Sequence, residues 1–182
     1  MKSFIKDVVV TFIESIIILA IIVSFIAIPV RVVGSSMEPT LYNGYLGFSA
    51  IFKKWLGIER FDVVIIESDK TKEKIVKRVI GLPNEKVEYR DNKLYINDEY
   101  VMENYQLNST TEDFVISLND NEYFCMGDNR YISKDSRYYG PFEKEDIKAV
   151  GVLVLFPFDN IGLRWDPWYK DFLERNYNGK SR

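Results

Sequence analysis

An almost unbroken apolar segment near the amino terminus constrains this chain more than any other feature. Residues 8–30 read VVVTFIESIIILAIIVSFIAIPV, and the polar exceptions are Thr11, Glu14, Ser15 and Ser24. As a helix rising about 1.5 Å per residue, the segment would span roughly 34 Å, which is enough to cross a hydrocarbon core of ~30 Å. A cleavable signal peptide has a shorter apolar region and ends in an Ala-x-Ala-like site, which is missing here. The segment therefore predicts one uncleaved transmembrane helix.

Basic residues on either side of this segment predict its orientation. Lys2 and Lys6 precede it, whereas Arg31 alone follows it closely. Because basic residues favour the cytoplasmic side, residues 1–31 are expected to form a short cytoplasmic leader and a single-pass anchor in the cell membrane. Residues 32–182 would then form one extracytoplasmic domain, and the lipid bilayer is the first predicted partner.

The extracytoplasmic part contains many short β-branched and aromatic runs. RFDVVIIE (60–67), KIVKRVI (74–80) and AVGVLVLFP (149–157) are typical of strands. Asp91-Asn92 and Asn97-Asp98 lie between alternating residues, which is the pattern of tight hairpin turns. We therefore expect a mainly β domain built on an antiparallel sheet, with a small hairpin insertion at about 86–122.

The segment YLGFSAIFKKWLGI (45–58) is unusually apolar for a region that follows a membrane anchor. Its large side chains could fill the core of the domain. They could equally rest on the bilayer, where tryptophan and tyrosine favour the interface and the lysines meet lipid headgroups. The sequence leaves both interpretations open.

The composition excludes several classes of function. Cys125 is the only cysteine, so an internal disulfide is impossible, and we expect this thiol to be buried as a small apolar group. The chain has no histidine, which argues against a zinc site, and neither a metal nor a cofactor is expected. A net charge of −3 without a long basic run argues against nucleic acid as a partner.

Two serines stand in GSSMEPTL (34–41), directly after the predicted anchor. A serine nucleophile needs a base, and without histidine the remaining candidate is a lysine kept neutral by burial. Lys77 lies among β-branched residues in IVKRVIGLP and shares a strand face with Ile75 and Val79. Such a lysine is either buried for a purpose or lies at an edge where its amine reaches water.

Four motifs occur in one order behind the anchor: GSSMEPTL (34–41), RFDVVII (60–66), KRVIGLPNE (77–85) and GDNRYISKDSRYYG (127–140). Together they resemble the conserved boxes of bacterial type I signal peptidases, the Ser-Lys endopeptidases that remove signal peptides from exported preproteins. The resemblance covers the anchor and most of residues 30–157. It implies the β-rich fold shared by signal peptidases and repressor autoproteases, preproteins with signal peptides as substrates, and cleavage after small residues. It also allows contact with the protein-export machinery.

The resemblance assigns roles to individual residues. Ser36, which directly precedes Met-x-Pro-Thr, matches the nucleophile, and Lys77 matches the general base. Ser133 matches a serine that helps to orient the lysine amine. The remaining matches look like supports for the site, and they are Arg78, Asp128, Arg130, Asp135 and Arg137. Asn129 and Ser136 lie in the same box, where an ordinary turn or supporting role is expected.

This chain departs from the family pattern at three positions. Gly34 stands where Gram-negative members carry a hydroxyl residue that assists the oxyanion, so the chain resembles the smaller Gram-positive type. Oxyanion stabilisation would then depend mainly on the backbone N–H of Ser36. Phe61 replaces the glycine of Arg-Gly-Asp. Asn84 replaces the glycine of Gly-Leu-Pro-Gly-Asp, and asparagine tolerates left-handed backbone better than most residues.

Two rival functions fit parts of the sequence. A self-cleaving repressor would share the dyad but would need a DNA-binding domain, where this chain has an apolar segment. A dedicated or non-catalytic homologue that assists the assembly of pili or other surface proteins would share the anchor. A non-catalytic homologue would be expected to lack the serine or the lysine, and both are present.

Overall fold

The computed structural model describes residues 2–106 and 111–164 of the 182-residue chain. Helix α1 (Lys2–Ile26) passes directly into strand β1 (Ala27–Arg31). No helix in the described ranges is long and apolar enough to cross a membrane, so the predicted transmembrane helix is not supported there.

The carboxyl end of the predicted anchor was placed wrongly. Ala27–Arg31 forms strand β1 and pairs antiparallel with β2 (Leu46–Ala50). An apolar run alone does not distinguish a helix from a strand buried in a sheet. Pro29 was the available signal, because proline disfavours a helix interior. The sheet therefore begins at Ala27, inside the segment assigned to the membrane.

Most strands belong to one large antiparallel sheet. Besides β1 and β2, its members are β3 (Val63–Ile66), β4 (Ile75–Gly81), β9 (Glu122–Met126), β10 (Phe142–Glu143), β11 (Ile147–Phe156) and β12 (Gly162–Arg164). The strand order is β1-β2-β11-β3-β4-β9-β10, and β12 also pairs with β11. The long strand β11 pairs with β2, β3 and β12, and its pairing with β2 and β3 has register shifts that mark bulges. Bulges bend a strand and increase its twist.

A second sheet of four strands has the order β7-β6-β5-β8. Its strands are β5 (Lys86–Arg90), β6 (Lys93–Ile96), β7 (Glu99–Val101) and β8 (Phe114–Ser117). Both predicted turn pairs, Asp91-Asn92 and Asn97-Asp98, have positive φ angles and connect adjacent antiparallel strands. Two successive positive φ angles are typical of type I′ hairpin turns. The prediction of a mainly β, antiparallel domain is confirmed.

The apolar segment 45–58 contributes little to the core. Tyr45 is buried and Ile51 is half-buried against a core cluster. Ile58 is half-buried against another core cluster. The other large apolar side chains are exposed, with Trp55 and Leu56 each 76% exposed. Phe48 pairs with Leu153 across β2 and β11, and both are exposed. The core interpretation therefore holds for Tyr45 and, in part, for Ile51 and Ile58.

Candidate active site

Ser36 lies in the turn that joins β1 to β2. Two apolar residues of the same turn, Met37 and Leu41, are buried in the cluster that contains Val63 and Ile65 of β3. This anchoring places the half-buried Ser36 over the large sheet. Gly34 has φ +84°, and its N–H donates to Asn43 Oδ1 at 3.0 Å. A positive φ favours glycine, so the local backbone conformation explains why glycine stands at position 34.

Lys77 lies within β4, in the interior of the large sheet. Its side chain is buried, with 3% of the residue exposed. Its Nζ is 2.9 Å from Ser36 Oγ and 2.9 Å from the carbonyl oxygen of Val76. The structure therefore brings together the two residues that the motifs marked as nucleophile and base. No hydrogen bond joins Ser35 to Lys77 among the described residues. The Ser35 carbonyl oxygen accepts from Glu38 N within the turn.

Burial lowers the pKa of Lys77 from 10.5 to about 8. Removing an ammonium group from water disfavours the charged form. The carboxylates of Asp135 and Asp128 act in the opposite direction, while Arg137 lowers the pKa further. A substantial fraction of neutral amine is therefore present near pH 8, and a neutral amine next to a hydroxyl can accept its proton.

Ser133 lies on the other side of the nucleophile turn. A Cβ atom at Gly127 would be 2.2 Å from Ser133 Oγ and 2.5 Å from the Ser36 carbonyl oxygen. Only glycine allows this approach. Ser133 Oγ is buried without a hydrogen-bond partner among the described residues, and the Lys77 amine is hydrogen-bonded to Ser36 Oγ and the Val76 carbonyl. The predicted contact between Ser133 and the amine is thus not made in this structure.

Arg78 and Asp128 form a buried ion pair beside the dyad. Arg78 Nε and Nη2 donate to the two carboxylate oxygens at 2.8 and 2.6 Å, and the two side chains are 2% and 0% exposed. Arg78 also donates to the Phe61 carbonyl at 2.8 Å and to Thr40 Oγ1 at 3.0 Å. Thr40 donates in turn to Asp128. Thr40 was missed as a support, although it stands in the first motif.

Asp135 and Arg137 form a second pair behind the site. Two nitrogens of Arg137 donate to the carboxylate at 2.9 Å each. Burial alone would raise the pKa of Asp135, but the hydrogen bonds and charge of Arg137 and the Gly127 N–H outweigh it and lower that pKa. Asp135 caps the short helix Ser136–Tyr139 by accepting from Arg137 N. This pair holds the loop that carries Ser133.

Arg130 forms a third buried pair, and its partner Glu103 was missed. Glu103 follows β7, outside all four motifs, and accepts hydrogen bonds from Arg130 and Tyr89. A glutamate in a polar hairpin insertion gives no signal of burial in the sequence. Its pairing depends on how the two sheets meet.

The neighbouring positions have the modest roles that were expected. The backbone N–H of Asn129 donates to the Ser36 carbonyl at 3.0 Å. Ser136 Oγ accepts from Cys125 N at 2.9 Å, and the Cys125 side chain is fully buried, as predicted. Both replaced glycines keep a left-handed backbone, with φ 73° at Phe61 and 64° at Asn84. Within residues 2–106 and 111–164, no cluster of three or more metal-binding side chains could hold an ion.

Comparison with known proteins relates this chain to one family. The family described as "Signal peptidase, peptidase S26" matches residues 5–156. The chain is 37% identical over 173 residues to signal peptidase I P of Bacillus subtilis subsp. natto, covering 88% of this chain and 94% of that protein. It is 30% identical over 187 residues to signal peptidase IB of Staphylococcus aureus, with 92% and 97% covered.

Among solved structures, a signal peptidase I from Enterococcus faecalis is 34% identical, with a TM-score of 0.48 and coverage of 52% of this chain and 96% of that one. The matched family model spans most of the described residues, including the turn of Ser36, the strand of Lys77 and the loop of Ser133. The chain therefore belongs to the signal peptidase family, peptidase S26.

Proposed function

We propose that this protein is a membrane-bound endopeptidase that removes signal peptides from exported preproteins, with Ser36 as nucleophile and Lys77 as general base. The observation that carries the proposal is the 2.9 Å contact between Lys77 Nζ and Ser36 Oγ. It joins a buried lysine with a lowered pKa to a serine in a chain that has no histidine. The family match and relatives named signal peptidase I support the reaction and its substrate class.

Acylation begins with attack of Ser36 Oγ on the carbonyl carbon of the scissile peptide bond. As the new C–O bond forms, the serine proton passes to the neutral amine of Lys77. The tetrahedral intermediate then collapses, and the C–N bond breaks. The Lys77 ammonium returns its proton to the departing amine, which leaves as the amino terminus of the mature protein. The signal peptide stays bound to Ser36 as an ester.

Deacylation repeats the same proton transfers with water. Lys77 takes a proton from a water molecule that attacks the ester carbonyl, and it then returns this proton to Ser36 Oγ. The hydrogen bond from Lys77 to the Val76 carbonyl fixes the amine for both steps. Burial of the amine keeps its pKa low enough for the neutral form to recur near pH 8.

The negative charge of the tetrahedral oxygen needs a donor. The backbone N–H of Ser36 forms no hydrogen bond with another described residue, so it is free to donate to this oxygen. Gly34 offers no hydroxyl group that could assist. A single well-placed donor of this kind typically contributes a factor of about 10²–10³ to the rate.

The proposal places this reaction at the outer surface of the cell membrane, with the amino terminus in the cytoplasm. Its support is the apolar sequence 8–30, with lysines before it, and the exposed apolar residues of β2 and β11. Leu46 pairs with Phe156 and Phe48 with Leu153, so the four side chains form one neighbouring set. Such a set next to an apolar amino-terminal segment suits contact with lipid.

Purified full-length protein in detergent, incubated with a preprotein whose signal peptide ends in Ala-x-Ala, tests the proposal. Release of the mature chain is expected, and it should stop with Ser36→Ala. Ser35→Ala is the matched control and should retain most activity, because Ser35 does not contact Lys77. Activity should fall below pH 8 as Lys77 becomes protonated. An inactive Ser35→Ala variant beside an active Ser36→Ala variant would refute the assignment.

A further inference from the structure

The segment that follows β7 of the four-stranded sheet contacts the active-site loop through a buried carboxylate, that of Glu103. Its side chain is 2% exposed, and the partner guanidinium of Arg130 is fully buried. Glu103 also accepts hydrogen bonds from the hydroxyl groups of Tyr89 and Tyr105, the latter at 2.8 Å. Glu103 therefore accepts hydrogen bonds from three side chains, those of Arg130, Tyr89 and Tyr105.

Arg130 extends this contact into the loop that begins at Gly127. Its Nε donates to the Gly127 carbonyl at 3.0 Å, and its own carbonyl accepts from Arg137 Nη2 at 2.8 Å. The Gly127 N–H donates to Asp135 at 3.0 Å. The peptide groups on both sides of Gly127 are thus fixed by charged side chains, and Arg130 fixes the one that faces the four-stranded sheet.

The same loop contacts the backbone carbonyl of the nucleophile Ser36. Asn129 N donates to the Ser36 carbonyl at 3.0 Å. At Gly127 the backbone is so close that an added Cβ would lie 2.5 Å from the Ser36 carbonyl oxygen. A shift of the loop is therefore passed directly to Ser36, and a displacement of about 1 Å can cost roughly 10²-fold in rate.

We propose that Glu103 is a positioning residue for the Ser36–Lys77 reaction, acting through Arg130 and the Gly127 loop. Without the carboxylate, the guanidinium of Arg130 would be a buried charge without its counter-ion, a strongly unfavourable state. It would turn toward another acceptor or toward water and release the Gly127 carbonyl. The segment after β7 then helps to position the nucleophile, although Glu103 does not touch the dyad. This inference rests on the function proposed above.

The test compares steady-state kinetics of full-length Glu103→Gln and wild-type protein in detergent, with a peptide that spans a signal-peptide cleavage site. Glutamine keeps the size of the side chain but removes its charge. We expect kcat to fall by roughly 10–100-fold with KM changed less than about twofold, since the substrate-binding surface is untouched. Glu103→Asp keeps the charge and should recover part of the lost kcat.

Glu85→Gln is the matched control. Glu85 also joins the two sheets, because both of its carboxylate oxygens accept from Arg60 at 2.6–2.8 Å, and its side chain is 15% exposed. No contact links this pair to the Gly127 loop in the described residues. A purely structural role for such pairs would lower the thermal midpoint in both variants without separating their kcat values. We expect kcat of Glu85→Gln to stay within about twofold of wild type.

Tyr89→Phe keeps the inference testable if Glu103→Gln fails to fold. It removes the hydroxyl that contacts both Glu103 and Arg130 while keeping the buried ring, and kcat should fall about 3–10-fold. A kcat within twofold of wild type for folded Glu103→Gln, or for Tyr89→Phe if Glu103→Gln is unfolded, would overturn the inference. Wild-type activity and an inactive Ser36→Ala variant in the same assay separate that result from a failure of the proposed function.

Discussion

The two sheets of this protein are built by different kinds of contact. Three strands of the four-stranded sheet pair locally, because two-residue turns join β5 to β6 and β6 to β7, while β8 pairs with β5 from farther along the chain. In the large sheet, β11 pairs with β2, so that Val150 lies opposite Ala50. The proposed dyad is also long-range, since Ser36 and Lys77 are 41 residues apart. Local pairing fixes a register from a few turn residues, whereas the site exists only when distant strands have assembled.

An ion pair at the site and one in the hairpins differ in burial. Arg78 and Asp128, at the site, are 2% and 0% exposed. Lys86 and Asp98, in the four-stranded sheet, are 36% and 75% exposed. An exposed pair typically contributes about 0–1 kcal/mol, while breaking a buried pair costs ~3–5 kcal/mol. The site should therefore be sensitive to changes that the hairpins tolerate.

The largest difference should appear when lysine is replaced by arginine in each sheet. Lys77→Arg should lower peptidase activity by roughly 10²–10⁴-fold, because a guanidinium stays protonated and cannot act as a base. Lys93→Arg is the control in the four-stranded sheet, where Lys93 is exposed, and it should leave activity unchanged. Cleavage rates on a preprotein measure both. Substantial activity in Lys77→Arg would exclude a lysine base.

Removing one partner of an ion pair should separate the buried pair from an exposed one. Asp128→Ala leaves the Arg78 guanidinium buried without its counter-ion, and the free energy of unfolding should fall by about 3–5 kcal/mol. Glu67→Ala breaks the exposed pair with Lys74, where N and O are 3.5 Å apart, and should cost at most about 1 kcal/mol. Urea denaturation at neutral pH measures both losses. Equal losses would contradict the role assigned to burial.

The free energy of unfolding should also depend on pH because Lys77 is buried. The folded-state pKa of Lys77 is about 8, below the ~10.4 of an unfolded lysine, so the unfolded chain binds the proton more tightly. The wild-type free energy of unfolding therefore rises between about pH 8 and pH 10.4, and the penalty is complete below pH 8.

Lys77→Met removes this penalty, so the variant should gain about 1–3 kcal/mol of stability over wild type at pH 7 and much less at pH 10. Lost hydrogen bonds to Ser36 and Val76 reduce the gain at both pH values. Urea unfolding of both proteins at the two pH values measures the difference. A gain that does not depend on pH would show that Lys77 has an ordinary pKa in the folded state.

The smallest effect is expected at a hairpin turn. Asp98 has φ 71°, and alanine at this position should cost about 1 kcal/mol, because it tolerates left-handed backbone less well than aspartate. The loss of the exposed Lys86–Asp98 pair adds little. Thermal unfolding of Asp98→Ala should show this small change, and peptidase activity should stay at the wild-type level. Lost activity at an unchanged midpoint would mean that the hairpin influences the site directly.

Some features of this protein could be predicted because they depend on a few neighbouring residues. The hairpin turns followed from Asp91-Asn92 and Asn97-Asp98, since these residue types tolerate positive φ. The left-handed backbone at Asn84 followed in the same way. Ser36 and Lys77 were marked by the lack of histidine and by family motifs. Residue type and local order were enough in each case.

Other features were decided only by tertiary structure. The apolar character of Ala27–Val30 suits a membrane helix or a strand, and pairing with β2 selected the strand. Burial of Lys77, and with it the lowered pKa, needed β4 to lie inside a sheet whose strands come from residues 27–164. The sequence around Glu103 is polar and gives no sign of burial. Its side chain is buried because it pairs with Arg130, which is distant in sequence. For Lys77 and Glu103 the deciding energy comes from desolvation, and for Ala27–Val30 it comes from strand pairing; both depend on neighbours that are distant in sequence.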